Sequence, residues 1–356
     1  MADKIELLSL NAGELLDFVT GELGESKFRA GQIAQWLARG AEISEMTNLS
    51  AALRAKLEGI AVANPVRIRE SFKSRLDGTE KFLYELLDGN LIEGVIMRYH
   101  YGDTLCVSTQ VGCRMGCAFC ASTLEGRVRN LSAGEILGQV VAANRHIQAS
   151  DPTRRVHNIV LMGSGEPFDN YENVVRFLRL VNSPEGLNIS LRNISLSTCG
   201  LVNRIYDFAK EGLPVTLSLS LHAPNDAIRQ KIMPVSHAYA YEDVIAACRH
   251  YSEVTGRRVV FEYALSRDVN CEVRHAEELA RRLRGMRCHV NLIPLNAVKE
   301  RNLEAPTKQD VAAFLKRLEL KNVSATVRRE MGADIDGACG QLRRRYLSDR
   351  DANSTM

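Results

Sequence analysis

The segment Cys113-Arg-Met-Gly-Cys117-Ala-Phe-Cys120 places three cysteines within eight residues. A [4Fe–4S] cluster usually takes four cysteines, so three thiolates can hold three irons and leave the fourth iron open to a substrate or cofactor. Zinc sites usually pair C-x2-C with a second such pair, and none is present. Cysteines this close cannot all find disulfide partners with acceptable geometry. The segment therefore predicts an iron–sulfur site, with a zinc site or three unrelated thiols as alternatives.

The bulk composition is that of a globular protein. The chain has 356 residues, of which 45% are hydrophobic and 25% charged, enough for one large α/β domain with an appendage or for two domains. No apolar stretch approaches the roughly 18 residues of a membrane span. The N-terminal segment is acidic and amphipathic, unlike a secretory signal. Nine cysteines without an export signal favour the reducing cytosol, so we expect a cytoplasmic protein without membrane contact.

Arginine is the dominant basic residue, although the formal net charge is only +3. Arg side chains match phosphate geometry. Clusters of charge more often lie on solvated helix faces, so they permit a nucleic-acid substrate without demonstrating one. The clusters are Arg154-Arg155, Arg281-Arg282, Arg328-Arg329 and Arg343-Arg344-Arg345.

The hydrophobic pattern changes twice along the chain. Residues 1–65 predict a small helical accessory domain with helices near 14–19, 28–37 and 50–57. Residues 66–99 predict a short antiparallel strand extension, with strands 66–75, 79–87 and 90–98 joined by Asp77-Gly78 and Asp88-Gly89 turns.

From about residue 100 to 335, strands alternate with helices, which indicates a parallel sheet covered by helices. Ser132-x-x-Glu135 and Thr307-x-x-Asp310 are helix-capping signals. Six or seven units are too few for a closed eight-fold barrel, so we expect an α/β fold with a partial, open parallel βα barrel. We expect residues 336–356 to form a C-terminal segment with a frayed tail. The predicted strands are 104–109, 157–162, 193–197, 215–221, 258–265, 289–293 and 324–328.

Polar residues collect at the predicted carboxyl ends of these strands, where βα barrels place their active sites. The glycines of Gly163-Ser-Gly-Glu166-Pro167 allow close approach of a ligand to the backbone, and Glu166 carries an acceptor suited to an ammonium group. Ser197, the Ser220-Leu221-His222 segment and Asn296 end three further strands. Each signal alone is weak, because such residues are common in turns; together they predict one site beside the cysteine loop.

Two further cysteines stand apart. Cys106 lies in the first predicted barrel strand, and Cys339 lies in a glycine-rich loop, which gives a thiol the access that reactivity needs. A buried free cysteine is ordinarily a small hydrophobe, and we assign that role to Cys199, Cys248, Cys271 and Cys288.

Several longer segments resemble the RlmN family, adenine carbon-2 methyltransferases of 23S ribosomal RNA and tRNA. The cysteine run, with an aromatic residue before its last cysteine, is the radical S-adenosylmethionine signature. The resemblance covers nearly the whole chain and also includes Phe28-Arg-Ala-Gly-Gln-Ile-Ala-Gln-Trp36-Leu. Its other motifs are Leu105-Cys106-Val-Ser-Thr-Gln-Val-Gly-Cys113, Met162-Gly-Ser-Gly-Glu166-Pro167, Ser218-Leu-Ser220-Leu-His222-Ala-Pro, Asn291-Leu-Ile-Pro294 and Asp334-Ile-Asp-Gly-Ala-Cys339-Gly-Gln-Leu.

The resemblance implies two cofactors, a [4Fe–4S] cluster held by Cys113, Cys117 and Cys120, and S-adenosylmethionine (SAM) on the open iron. Two SAM molecules are used per turnover. The first methylates Cys339; the second is cleaved to a radical that activates the new S-methyl group for addition to the adenine. Cys106 then forms a disulfide with Cys339 and releases the product. The family positions that contact SAM match Gly165, Glu166, Ser197, Ser220, Leu221, His222 and Asn296.

The resemblance also implies the proton acceptor and the partners. Glu93 matches the proposed proton acceptor, with a solvated strand carboxylate as the alternative. The implied partners are 23S rRNA before complete ribosome assembly, tRNA, and an electron donor such as a flavodoxin or ferredoxin; we expect a monomer. The target adenosine must leave its stack to reach a buried cluster. Cys199 departs from the pattern, since serine is common there.

Two alternatives remain. The related Cfr group methylates carbon 8 of the same ribosomal adenosine and shares most of these motifs. A non-catalytic iron–sulfur RNA-binding protein is an alternative of another class, but it would not need Cys106, Cys339 and Gly165-Glu166 together. A Cys339→Ala variant separates that alternative from a methyltransferase.

Overall fold

The computed structural model of the protein describes residues 4–295 and 303–335. The N-terminal region is helical, as predicted, and its first helix begins with a capping box formed by Asn11 and Glu14. Two short strands at its ends, which the sequence analysis did not predict, pair in parallel. The elements of this region are β1 (Ile5–Glu6), α1 (Ala12–Asp17), α2 (Phe28–Ala38), α3 (Ala51–Ile60) and β2 (Ala61–Val62).

The predicted meander is present as β3 (Val66–Lys73), β4 (Glu80–Leu86) and β5 (Leu91–Tyr99). Gly78 and Gly89 have φ angles of 73° and 80° in the two turns, which is why glycine follows aspartate there. β5 pairs antiparallel with the next strand, β6 (Gly102–Cys106). The meander is therefore continuous with the main sheet rather than a separate connection.

The sheet has ten strands within the described parts of the chain. Seven of them, from β6 onward, are parallel, which confirms the predicted α/β architecture of a partial barrel. After β6 the main-sheet strands are β9 (Val156–Leu161), β10 (Ile194–Thr198), β11 (Thr216–Ser220), β12 (Val259–Leu265), β13 (Cys288–Pro294) and β14 (Ala325–Val327).

Helices cover the parallel strands, and both predicted capping boxes are formed. No helix in residues 4–295 or 303–335 is long and apolar enough to cross a membrane. The helices are α4 (Ala133–Ser150), α5 (Tyr171–Val181), α6 (Val202–Lys210), α7 (Asp226–Ile232), α8 (Tyr241–Thr255), α9 (Val273–Arg282) and α10 (Lys308–Leu320).

A small antiparallel ribbon, which the sequence analysis missed, encloses the cysteine loop. It consists of β7 (Gln110–Gly112) and β8 (Arg127–Asn130). Gly112 has a φ of 74°, and a Cβ there would collide with the carbonyl oxygen of Gly126. Only glycine therefore permits this close approach.

The helical region packs directly on the barrel through α4. Gly134 in the first turn of α4 donates its N–H to Ser9 Oγ (2.9 Å), and Ser132 Oγ donates to Glu6 Oε2 (2.5 Å). A Cβ on Gly134 would overlap Ser9. Buried residues of both regions form one hydrophobic core, so the N-terminal region is held in a fixed place beside the sheet.

Candidate active site

A cavity of about 410 Å³ opens at the carboxyl ends of the parallel strands. Its wall runs from β5 and β6 to the segment after β14, so the curved sheet encloses it from both sides. It brings together most of the residues predicted for the site, namely Cys106, Cys113, Cys117, Cys120, Gly165, Glu166, Ser197, Ser220 and His222. Asn296 and Cys339 lie outside the described residues.

Two predicted site residues are placed differently. The Leu221 side chain is fully buried and does not line the cavity; its backbone N–H donates to the carbonyl of Glu262 (3.1 Å). Glu93 is also buried and is not a lining residue, and its carboxylate lies 3.0 Å from Lys81 Nζ. The solvated alternative for Glu93 is therefore wrong.

The cysteine loop lies in an apolar part of the cavity. Cys113 and Cys117 are buried and Cys120 is half-buried, and Met233 and Phe119 belong to the surrounding apolar cluster. Burial raises the pKa of the Cys113 thiol to about 12 and that of Cys117 further above its ordinary range. These thiols therefore need a metal to become thiolates at neutral pH.

The donor set of this loop fits an iron–sulfur cluster. Within the parts of the chain that the structure describes, no three His, Cys, Asp or Glu side chains are arranged to hold a single metal ion. A cluster differs from such a site because each thiolate binds its own iron. Three thiols on one loop, shielded from water on an apolar wall, match that requirement and leave room in the cavity for a ligand of the open iron.

Glu166 is a buried carboxylate in the turn after β9. Its Oε1 accepts the N–H of Phe168 (3.0 Å) and its Oε2 accepts the N–H of Cys199 (2.7 Å). Burial raises the pKa of this carboxyl, while these hydrogen bonds act in the opposite direction. A carboxylate fixed in this way in an apolar wall is suited to pair with a cationic group of a ligand.

Asp169 joins three segments around the cysteine loop. Its carboxylate accepts from Arg114 Nη2 (2.5 Å) and Nε (3.1 Å), from Arg127 Nη1 (2.7 Å) and from Gln110 Nε2 (2.9 Å). Gln110 Oε1 in turn accepts the N–H of Glu166 (2.9 Å). The cysteine loop, the β7–β8 ribbon and the Glu166 turn are thereby held as one unit. The sequence analysis did not identify Asp169.

His222 follows β11 with a φ of 53°. Its Nδ1 accepts the N–H of Ala264 (2.9 Å) and its carbonyl accepts from Asn270 Nδ2 (2.7 Å). Burial, and then the charge of Arg229, lower the pKa of His222 to about 3. The imidazole is therefore neutral at physiological pH and carries its proton on Nε2.

Arg229, which the sequence analysis also missed, fixes the ends of two strands. It is fully buried in α7 and donates to the carbonyls of Cys199 (2.6 Å) and Leu221 (3.2 Å) and to Ser236 Oγ (3.0 Å). These bonds supply partners for backbone carbonyls just beyond the carboxyl ends of β10 and β11, where the strand pairing stops.

A row of polar residues crosses neighbouring strands in register, and three of them, Ser197, Ser220 and Glu262, line the cavity. Ser220 pairs with Glu262, and Glu262 pairs with Asn291. Ser197 Oγ lies 3.4 Å from Ser220 Oγ, and Asn291 Nδ2 donates to Glu262 Oε2 (2.8 Å). Glu262 was not predicted, although a carboxylate within the apolar run Val259–Leu265 is a signal that could have identified it.

The remaining cysteines and the arginine clusters differ in whether they line the cavity. Cys199 is buried in the apolar cluster around the cysteine loop and also lines the cavity, whereas Cys248 and Cys271 are buried outside the lining and Cys288 is half-buried. Arg154 pairs with Asp103 and Arg282 with Glu242. Arg328 and Arg329 line the cavity, and the cluster at 343–345 lies outside the described residues.

The fold and the cysteine loop together define a radical SAM protein. Residues 107–280 match the family model described as the Radical SAM superfamily. The solved structure of a radical SAM methyltransferase from Sphaerobacter thermophilus is similar to this chain with a TM-score of 0.91 and 43% sequence identity, covering 95% of this chain and 98% of that one. Proteins of this class use a [4Fe–4S] cluster and SAM, and this protein uses both.

Sequence comparisons narrow the class to one family. Residues 5–63 match the model described as the ribosomal RNA large subunit methyltransferase N-terminal domain. Two proteins named probable dual-specificity RNA methyltransferase RlmN are similar. The one from Lachnospira eligens is 48% identical over 351 residues (97% of this chain, 98% of the relative); that from Alkaliphilus oremlandii is 49% identical over 348 residues (98% and 100%). The chain belongs to the RlmN family, which confirms the resemblance.

Proposed function

We propose that the protein is a SAM-dependent RNA methyltransferase that adds a methyl group to carbon 2 of an adenosine in 23S rRNA and in tRNA. The observation that carries the proposal is the single cavity shared by the three cluster cysteines, Glu166 and Cys106. The chain leaves the described region at Ile335, four residues before Cys339, after Met331 has lined the same cavity. Membership of the RlmN family supports carbon 2 over the carbon-8 alternative.

Residues of the cavity wall would hold the cofactors. Cys113, Cys117 and Cys120 are the cluster ligands. The buried carboxylate of Glu166 pairs with the ammonium group of SAM, and the Gly165 backbone allows SAM to approach closely. The remaining SAM contacts would come from Ser197, Ser220 and His222 of the cavity wall and from Asn296. When bound, the cofactors supply the methyl group and the radical chemistry.

Two cysteines of the chain would handle the methyl group. Cys339 accepts it as an S-methyl group and carries it to the base. Cys106 then forms a disulfide with Cys339 Sγ as the bond between that sulfur and the transferred carbon breaks, which releases the product. Cys106 is buried with Val95 and Met97, and Met331 packs against the same apolar cluster. Apolar surroundings shield this thiol from solvent.

Glu93 is the proposed acceptor of the proton that leaves the adenine ring. It lies on β5, two residues before the cavity-lining Val95, and its backbone carbonyl accepts from Ser108 Oγ (2.8 Å). Side chains two apart on a strand share a face, so Glu93 is directed to the same side of the sheet as the cavity. Lys81 holds its carboxylate in place.

The RNA would enter at the rim formed by Arg328 and Arg329, with the target base removed from its stack. Residues 1–65 would act as an RNA-binding accessory domain, 66–99 as an extension, 100–335 as the catalytic core and 336–356 as the carrier of Cys339. The proposal also includes 23S rRNA before complete ribosome assembly, an electron donor such as a flavodoxin or ferredoxin, a monomeric state and a cytoplasmic location.

The test is mass spectrometry of nucleosides from 23S RNA and tRNA incubated with the anaerobically reconstituted protein and labelled SAM. Label in 2-methyladenosine is expected. Cys339→Ala should abolish methylation of the RNA, and Cys106→Ala should stall product release. Cys248→Ala, at a buried position outside the cavity, should retain activity. Label in 8-methyladenosine would move the protein to carbon-8 methylation. Unlabelled RNA from a protein that still cleaves SAM would refute the RNA substrate.

A further inference from the structure

The described chain ends in a segment that crosses the cavity from one side of the sheet to the other. Arg328 continues the pairing of β14, with its N–H donating to the Leu292 carbonyl (2.8 Å). Met331 then packs against the apolar cluster that contains Cys106. Beyond Met331, the segment contacts the turn between β3 and β4, which belongs to the other end of the ten-stranded sheet.

Asp334 makes the first part of this contact. Its Oδ1 accepts from Ser74 Oγ (2.6 Å) and its Oδ2 accepts from the N–H of Arg75 (2.9 Å). Ser74 Oγ also accepts the N–H of Leu76 (3.1 Å), so the hydroxyl is oriented by the turn itself. Both bonds involve a carboxylate and therefore belong to the stronger class of hydrogen bonds.

A second carboxylate makes the contact reciprocal. Asp77 Oδ2 accepts the N–H of Gly332 (2.9 Å), while its Oδ1 accepts the N–H of Thr79 (2.9 Å). Gly332 has a φ of 64°, and a Cβ there would lie 3.2 Å from Thr79 Cγ2. Each of the two segments thus offers one carboxylate to the other, although Asp77 and Gly332 are 255 residues apart in the sequence.

We propose that this contact, the Asp334 latch (Asp334 with Ser74 and Arg75, and Asp77 with Gly332), is a positioning device that keeps Cys339 close to Cys106. The inference rests on the proposed roles of these two thiols. Cys339 follows Asp334 by five residues, and an extended chain spans at most about 3.3–3.6 Å per residue. Anchoring Asp334 therefore confines Cys339 to within about 18 Å of the latch.

The physical effect of such an anchor is a raised effective concentration of one thiol at the other. Without the latch, the last anchored point before Cys339 lies further back, at Met331 or at β14, so the tether to Cys339 is longer. A tether that is longer and looser lowers the effective concentration. Asp334 itself does not touch the reacting atoms in this proposal, so its loss would act on the thiol pair and not on cofactor binding.

The experiment measures the disulfide between Cys106 and Cys339 at equilibrium in the reconstituted protein, without SAM or RNA. The protein is held in glutathione buffers of stepped ratio, quenched by alkylation and analysed by peptide mass spectrometry. Glutathione disulfide takes two electrons and two protons from the two thiols and becomes two glutathione molecules. Asp334→Asn should lower the equilibrium constant about two- to fourfold, as expected when the tether lengthens from about five residues to about eight to twelve; for a two-electron couple this is about 9–18 mV.

The matched control is Asp151→Asn. Asp151 also accepts one backbone N–H and one hydroxyl, both from Thr153 (3.0 and 2.7 Å), but lies in the turn after α4, outside the latch. This control should leave the equilibrium unchanged. Ser74→Ala, which removes one latch bond, should shift the equilibrium in the same direction as Asp334→Asn by a smaller factor, and it carries the test if Asp334→Asn fails to fold.

The outcomes separate the latch from the proposed function. An unchanged disulfide equilibrium in Asp334→Asn and Ser74→Ala, with the wild-type pair forming normally, overturns the latch and leaves the methyltransferase intact. Absence of a Cys106–Cys339 disulfide in the wild type at every ratio overturns both the latch and the proposed thiol pair. A shift confined to the latch variants, with RNA-independent SAM binding unchanged, supports the positioning role.

Discussion

His222 illustrates how the site sets the chemistry of a single side chain. It lies two residues after β11 with a positive φ, and its Nδ1 accepts the N–H of Ala264. The ring is buried and packs edge-on against Phe119, with ring centroids 4.5 Å apart. Both the desolvation and the nearby Arg229 charge disfavour the imidazolium form.

We therefore expect His222 to stay neutral, protonated on Nε2, between pH 5 and 8. Its pKa of about 3 lies below the ordinary 6.5, so the unfolded chain binds the proton first as pH falls. The stability from this group is thus complete above pH 6.5 and is lost progressively toward pH 3. Nitrogen NMR of histidine-labelled protein checks this, with His222→Gln to assign the signal. A titration of His222 within pH 5–8 would contradict it.

Gly165 is the residue at which a single methyl group should disable SAM binding. Its φ is 110°, and a Cβ would lie 2.7 Å from Gln110 Cβ. Gly165→Ala must therefore displace Gln110, whose Oε1 accepts the N–H of Glu166. We expect the SAM dissociation constant to rise at least about tenfold. Equilibrium dialysis against labelled SAM, at equal cluster content, measures it.

Gly126→Ala is the control for that prediction. Gly126 also has a positive φ, of 70°, but a Cβ there meets no atom within 4 Å. This substitution should cost only about 1–2 kcal/mol of backbone strain and leave SAM affinity near the wild-type value. Equal losses of affinity in both variants would show that backbone strain, and not the contact with Gln110, controls the site.

At the scale of elements, the β7–β8 ribbon owes its place to Asp169. The ribbon is too short for independent stability, and its link to the Glu166 turn runs through the Asp169 carboxylate. Asp169→Asn retains the shape of the side chain but removes the charge shared by Arg114 and Arg127. We expect the reconstituted cluster to be lost several-fold faster to an iron chelator, as followed by its visible absorption.

The control for the ribbon is Asp103→Asn. Asp103 binds Arg154 by two hydrogen bonds (2.9 and 3.0 Å). The side chains of Asp103 and Asp169 are each 6% exposed. It lies at the start of β6, at the opposite end from Cys106 and the cavity. Asp103→Asn should destabilise the fold without a change in cluster lifetime at temperatures below unfolding. A comparable rate of iron loss in both variants would refute the specific role of Asp169.

At the scale of the whole molecule, two exposed arginines lie where the last parallel strand meets the cavity. Arg328 and Arg329 follow the last parallel strand and line the cavity, whereas Arg154 and Arg282 are engaged in ion pairs within the fold. We expect Arg329→Ala to weaken RNA binding and to reduce the slope of log affinity against log salt by about one. Filter binding of a 23S fragment across a salt series measures that slope.

Arg192→Ala is the control for Arg329→Ala, because it also removes one exposed arginine. Arg192 is exposed and precedes β10, so it lies at the amino end of the parallel strands, away from the cavity. It should leave the salt slope unchanged. The rim assignment fails if the two variants reduce the slope equally, because the contribution would then reflect net charge rather than position.

The sequence predicted the elements well where the signal was local. The capping boxes at Ser132 and Thr307 and the Asp-Gly turns depend on residues within a few positions of each other. The β7–β8 ribbon was missed because its three- and four-residue strands are held by Asp169 and by the close approach of Gly112 to Gly126, contacts that span the cysteine loop.

For the whole molecule, the sequence by itself determined the motif chemistry: three thiols at cluster spacing, polar residues at successive strand ends, and the family to which the chain belongs. Only the tertiary structure decided which of these share a cavity. It buried Glu93 against Lys81, turned Leu221 inward, brought Glu262 and Cys199 into the wall and joined Asp334 to Ser74. The physical reason is that spacing along the chain fixes which face of an element a residue occupies, whereas contacts between residues far apart depend on how strands pair and curve.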